Sequence, residues 1–173
     1  MAYFWREMTA ADLPQVMEIA ACVHVGYFES EAVFAERLAL FAPGCLVAVE
    51  EGAESALLGY SIMHPACRGL PPPLNSLLRA IAPHADSLHL HDVAMLPKAR
   101  GLGLGRALVA RMHFLMRHYR LAYATLVAVH GSVPYWQASG FAVADESAEG
   151  PWARLASYGD EAIYMILRSE VKT

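Results

Sequence analysis

Two short runs in this 173-residue chain carry residue types that can do chemistry. One is Arg100-Gly101-Leu102-Gly103-Leu104-Gly105-Arg106-Ala107, where three glycines alternate with leucine between two arginines. Glycines this closely spaced let the backbone approach a ligand with no Cβ in the way. A helix starting inside the run would aim its free N–H groups, and the positive end of its dipole, at whatever lies in the turn. That is a phosphate-binding geometry. The other run, Leu88-His89-Leu90-His91-Asp92, lies just upstream and sets two imidazoles and a carboxylate on one strand. An unperturbed imidazole titrates at about 6.5, which makes His91 the better titrating candidate for a general base. His89 and His91 share a strand face if no bulge intervenes. Two histidines without a third spaced ligand are weak evidence for metal, so no metal site is expected.

These runs depend on the elements around them. Leu88 to Met95 reads as a strand ended by Pro97, and a strongly apolar stretch from Leu108 to Met116 follows the glycines as a helix to about Tyr119. Strand, tight glycine turn and helix is the context that turns a glycine count into a binding site. Upstream, Tyr3–Glu7 reads as a strand. Thr9 and Asp12 then open a helix to about Cys22, and Ser30 opens a second through about Phe41. Cys45–Glu50 and Leu57–Met63 flank a polar turn as an antiparallel hairpin. Residues 64–86 contain Pro65, Gly69 and Pro71-Pro72-Pro73, which argue against helix or central strand. They read as a proline-rich insertion with a short helix at Leu74–Ile81. Tyr123–Val129, Phe141–Ala144 and Ala162–Arg168 read as strands, with a short helix at Val133–Ala138 between the first two. The chain is expected to be one α/β domain over residues 1–173.

Two familiar glycine loops fail on spacing. A P-loop needs a lysine after its glycines and none is present, and GxGxxG would need glycine at Arg106 or Leu108. A dinucleotide-dependent oxidoreductase is therefore set aside. What fits is R-x-x-G-x-G-x-A, with Arg100, Gly103, Gly105 and Ala107 in register. This resembles the acetyl-CoA pyrophosphate loop of the GNAT superfamily of N-acetyltransferases. Arg6-Glu7-Met8-Thr9-Ala10-Ala11-Asp12-Leu13-Pro14 is similar to that family's opening strand and helix. Tyr135-Trp136-Gln137-Ala138-Ser139-Gly140-Phe141 resembles its F-Y-x-x-x-G-F segment.

The resemblance implies a mixed, mostly antiparallel sheet flanked by helices, with acetyl-CoA as cosubstrate and a primary amine of a small molecule or peptide as acceptor. It places Val93, Ala94 and Met95 against pantetheine and the thioester, and Arg100, Gly101, Leu102, Gly103, Leu104, Gly105 and Arg106 against the pyrophosphate. Asp92 looks like the family's frequent acidic residue before the short apolar pair. At the position of the thiolate-protonating tyrosine stands Trp136, whose indole N–H is a poor acid. Tyr135 beside it is the alternative catalytic acid, and His130 and Ser132 are further polar candidates. A second reading, a catalytically weak CoA- or acyl-CoA-binding domain with a sensing role, follows from that tryptophan. Acceptor specificity is expected from the loops around the first two helices and from residues 64–86, with Tyr27, Phe28 and Trp152 as an aromatic acceptor site.

Composition bounds these readings. The net charge of −4 argues against nonspecific binding to nucleic acid or to an anionic membrane. Positive charge gathers at Lys98, Arg100, Arg106 and Arg111, which suits a small polyanion such as CoA. No apolar run reaches the roughly 18 residues of a membrane span, and the N-terminus lacks the pattern of a signal peptide. Cys22, Cys45 and Cys67 cannot all pair and read as reduced thiols, so a cytoplasmic protein is expected, with room for a homodimer.

Overall fold

The computed structural model describes residues 2–144 and 152–169. Among the described residues, seven strands form one sheet: β1 (Tyr3–Glu7), β2 (Cys45–Glu50), β3 (Gly59–Ala66), β4 (Ser87–Met95), β5 (Tyr123–Ala128), β6 (Ala142–Val143) and β7 (Ile163–Arg168). Their order is β1-β2-β3-β4-β5-β7-β6. Each adjacent pair is antiparallel except β4 and β5, which run parallel because a helix crosses between them. Five α-helices among the described residues accompany the sheet: α1 (Leu13–Val23), α2 (Glu31–Leu40), α3 (Leu104–His118), α4 (Val133–Ala138) and α5 (Trp152–Leu155). The expected single α/β unit with a mixed, mostly antiparallel sheet is the one found.

The sheet divides the core. Leu46, Met63, Leu88 and Leu90 pack with Leu108, Met112 and Leu115 of α3 and with Trp136 of α4. Val47, Tyr60, Ile62 and Ala94 pack with Val16 and Ile19 of α1 and Phe34 of α2 on the other face. Side chains alternate along each strand, so neighbouring residues feed opposite layers. The helical stripes read from the sequence supply the covers.

Before α1, Asp12 accepts two hydrogen bonds from Arg6, at 2.8 and 2.7 Å, and further bonds from the Thr9 amide and hydroxyl. The Arg6 hydrogen bond leads the causes that hold the Asp12 carboxyl down at about 2. A depressed carboxylate stabilises the fold above its unfolded pKa, about 3.9, and that contribution is lost as pH falls through the folded value. Asp12→Asn is expected to cost about 1–2 kcal/mol at pH 7. The gap from the parent protein should narrow between pH 5 and pH 2, in urea unfolding at stepped pH. A gap that stays constant with pH would show that the carboxylate charge contributes nothing.

Two expectations change between Met63 and Asp86. β3 continues through His64-Pro65-Ala66, which pair with β4 as far as Ala66↔Ser87. Proline is tolerated there because β2 ends its pairing at Cys45↔Ile62, so that part of β3 has a single partner. The helix expected at Leu74–Ile81 is absent. Residues 67–86 cross the surface as irregular chain and turns. Their amides are satisfied by side chains instead: Leu78 and Arg79 donate to Glu36, and Leu74 donates to Ser157. Such competing partners remove the drive to close helical turns.

Candidate active site

The site begins with a misfit in β4. Its register with β3 runs Ile62↔Asp92 and then Met63↔Leu90, so His91 is one residue too many. This is a β-bulge, which kinks the strand and increases its twist. On the far side, β4 pairs with β5 only from Ser87↔Tyr123 to Leu90↔Leu126, although both strands continue. Beyond Leu90 they part. A cavity of about 510 Å³ fills the opening and passes from the α3–α4 face of the sheet toward the α1–α2 face.

Backbone groups line the opening. Leu96 donates its amide to Leu58 on the β3 side, so by strand alternation the groups of Ala94 also face β3. Those of Val93 and Met95 face the cavity. Of the three residues expected to present backbone to a thioester, two therefore do so and Ala94 packs in the core. The Val93 carbonyl is already taken by a side chain, His24, at 3.1 Å.

At the end of β4 a short turn leads into the glycine run. Gly101 and Gly103 have φ of +78° and +81°, a left-handed conformation that glycine adopts at no steric cost. Gly103 is the N-cap of α3 and supplies no side-chain cap, so the amides of Leu104, Gly105 and Arg106 have no intrahelical acceptor. The Leu104 side chain is buried beneath the loop and its carbonyl accepts from the Trp5 indole at 2.8 Å, which ties the helix start to β1. Leu102 is half-buried against the same apolar cluster. A Cβ on Gly105 would run into the Tyr135 hydroxyl. The arrangement is a cradle of N–H groups that fits a pyrophosphate. Arg100 borders the cavity and Arg106 is exposed beside the loop. Arg111 does not join them. It lies two turns along α3, 3.5 Å from the Pro43 carbonyl and 3.9 Å from Glu7.

The bulge also sets the chemistry. Leu90 faces the α3 layer, whereas His91 and Asp92, consecutive in sequence, both face α1 and α2. Asp92 accepts from the Tyr60 hydroxyl at 2.6 Å and lies 2.8 Å from His24 Nε2. Burial works against its ionisation, yet bonding and charge from His24 and the Tyr60 hydroxyl hold its carboxyl below the ordinary value. In turn, burial disfavours charge on His24, and Asp92 outweighs it, so the imidazole pKa is raised. Both groups near His24 Nε2, a carboxylate and a carbonyl, can only accept. The proton of neutral His24 therefore sits on Nε2, and Nδ1 keeps its lone pair. His24 borders the cavity.

His91 is placed differently. Its Nε2 donates to both Glu29 oxygens, at 2.8 and 3.0 Å, and its side chain is 1% exposed. Nδ1 is buried with no partner among the described residues. His91 and His24 both line the cavity, but the His91 nitrogens are engaged by Glu29 or buried. Behind the His91 ring lie His64 and His89, with ring centres 5.5–6.1 Å apart across the three. Burial pushes His64 down to about 3 and His89 well below its usual value. Among the described residues no group of three or more His, Cys, Asp or Glu is arranged to hold a metal ion.

On the α4 side, Trp136 is buried and packs edge-on against Phe141, while Tyr135 is 47% exposed and borders the cavity. Burial raises the Tyr135 hydroxyl pKa, so it remains protonated at neutral pH. His130 and Ser132 also border the cavity. His130 stacks on His24 at 6.0 Å and meets Tyr27 edge-on at 4.7 Å. Of the expected aromatic acceptor site, Tyr27 lines the cavity, Phe28 points to solvent at 73% exposure, and the Trp152 side chain lies outside the described residues. Sequence reasoning missed His24, Glu29, Tyr60 and Tyr158. None sits in a motif, and only the fold brings them to β4.

The model of the acetyltransferase (GNAT) family matches residues 13–141. The chain belongs to this family. Comparison with curated proteins finds no match. Among solved structures, it is similar to Ard1 from Thermoplasma volcanium at 14% identity and a TM-score of 0.70, covering 98% of this chain and 99% of that one. It is similar to the ribosomal-protein-S18-alanine N-acetyltransferase from Escherichia coli at 18% identity and a TM-score of 0.65, covering 99% and 96%. It is likewise similar to the GphF GNAT-like decarboxylase in complex with isobutyryl-CoA, at 16% identity and 0.71, covering 95% and 98%. At these identities the likeness establishes the fold, and the reaction has to be argued from the site.

Proposed function

We propose that the protein is an acetyl-CoA-dependent N-acetyltransferase acting on a primary amine. The observation that carries this reading is the opening between β4 and β5, set directly before the uncapped first turn of α3. The loop amides of Gly101 to Arg106, with Arg100 and Arg106, would hold the pyrophosphate. The cavity-facing groups of Met95 would pair with the pantetheine amides as a strand edge does.

Acetyl-CoA supplies an activated acyl group on a thiol whose ordinary pKa, about 8.5, makes it a fair leaving group. His24 Nδ1 accepts the proton that the ammonium, with a pKa of about 10.4 in solution, must lose before attack. Asp92 orients the imidazole and favours its protonated form. The freed amine lone pair forms the C–N bond as the C–S bond breaks. The Val93 N–H would stabilise charge on the carbonyl oxygen. Tyr135 donates a proton to the departing sulfur and is replenished from solvent. His91 holds Glu29 and the bulge in place.

Cys22, Cys45 and Cys67 are free thiols, which supports a reducing, cytoplasmic setting. No helix among the described residues is long and apolar enough to cross a membrane.

The test is calorimetric binding of CoA followed by thiol release with acetyl-CoA and amines. CoA affinity should fall as salt rises, and Arg100→Ala should flatten that dependence, because charge on phosphate is screened by ions. A pantetheine analogue without phosphates should bind independently of salt. CoA binding insensitive to salt would remove the phosphate assignment. Tight CoA binding without turnover of any amine would favour the sensing domain.

A further inference from the structure

Residues 67–80 form a strap over the α1–α2 end of the cavity. The strap is fastened at several points: Asn75 donates its amide to Glu29 at 2.8 Å, and its side-chain oxygen accepts from the Ser30 amide at 2.8 Å. Arg37, fully buried, donates to the Ser76 carbonyl, and Tyr158 donates to the Pro72 carbonyl at 2.8 Å. Leu74 of the strap and Tyr158 beneath it both line the cavity, with Val23 and Tyr27 completing an apolar and aromatic wall.

The polar groups on this side are already engaged with one another. Glu29 is held by His91 and Asn75, Asp92 by His24 and Tyr60, and Tyr158 by Pro72. A buried peptide backbone brings an amide and a carbonyl with every residue, and each costs free energy if left without a partner. His24 Nδ1 offers one acceptor for one amine proton. The two nearby carboxylates, Glu29 and Asp92, favour the reacting cation, and the apolar wall offers no partner for a second one.

We infer that the acceptor is a compact primary amine, singly charged and carried on an aliphatic or aromatic body, and that peptide and protein N-termini are excluded by the strap. The inference rests on the acetyltransferase reading above and names its substrate class.

The experiment is steady-state acetylation by the full chain with three acceptor sets, run beside calorimetric CoA binding. The sets are linear alkylamines of increasing length, 2-phenylethylamine, and tripeptide amides with free N-termini. Each added methylene should raise kcat/KM by up to about tenfold until the wall is reached, and the best amine should exceed the best peptide by about 100-fold. Leu74→Trp should lower kcat/KM most for the longest amines and leave the KM for acetyl-CoA unchanged. Peptides acetylated as well as the amines, or a kcat/KM flat in chain length, would overturn the substrate class while leaving the acetyltransferase reading intact. Failure of CoA to bind, or of every acceptor to react, would overturn both.

Discussion

A Gly103→Val protein is expected to lose at least about 100-fold in CoA affinity while remaining folded, since strain at one such position costs only about 1–3 kcal/mol. Gly103 has φ of +81° and caps α3, and an added Cβ meets no protein atom within 4 Å. It would stand at the N-cap, next to the first-turn amides. A β-branched side chain there blocks an anion from reaching those amides and also opposes the left-handed backbone. Gly52 separates the two effects. It has φ of +83°, equally open surroundings and a place in the β2–β3 turn. Gly52→Val should lose similar stability in thermal unfolding and bind CoA as the parent does. If Gly103→Val binds CoA normally, the cradle has been misassigned.

Replacing His24 by glutamine should lower kcat/KM for the amine by about 100- to 10,000-fold, the range expected when a general base is removed. Calorimetric affinity for CoA should not change. In the parent, activity should rise with pH as His24 loses its proton, along a limb centred above the usual imidazole value because Asp92 raises it. Asp92→Asn removes that influence, so the limb should move to lower pH while the rate also falls. In His24→Gln the limb should vanish. His91→Gln should leave the limb in place, since its Nε2 already donates to Glu29 and its Nδ1 is buried. A limb that survives in His24→Gln and disappears in His91→Gln would reverse the two assignments. On the basic side, Tyr135→Phe should lower kcat and leave the KM for the amine unchanged if its hydroxyl protonates the departing sulfur. An unchanged kcat would give that proton to solvent.

What could be read without coordinates was whatever is local in the chain. The alternation of glycine and leucine at 101–105, bounded by a strand and an amphipathic helix, identifies a strand-turn-helix cradle because its determinants lie within about twenty residues. The helix starts at Thr9 and Ser30 and the apolar stripes of α1, α2 and α3 are equally local. Pro65 misled because proline is judged against a strand with two neighbours, and only the sheet shows that β2 has already ended there. The helix expected over 74–81 failed because Glu36, remote in sequence, takes the Leu78 and Arg79 amides that would have closed its first turns.

The catalytic constellation is of this second kind. Sequence alone pointed to a glycine turn suited to a phosphorylated ligand, and to a histidine and an aspartate on the strand leading to it. It could not say which imidazole is available. That depends on one extra residue in β4, which turns His91 and Asp92 to the same face, and on the end of α1, which carries His24 to Asp92 from 68 positions away. Only the tertiary structure bears on that choice, because proton transfer requires a lone pair open to the substrate. Whether a nitrogen is open or enclosed depends on the neighbours that surround it once the chain has folded.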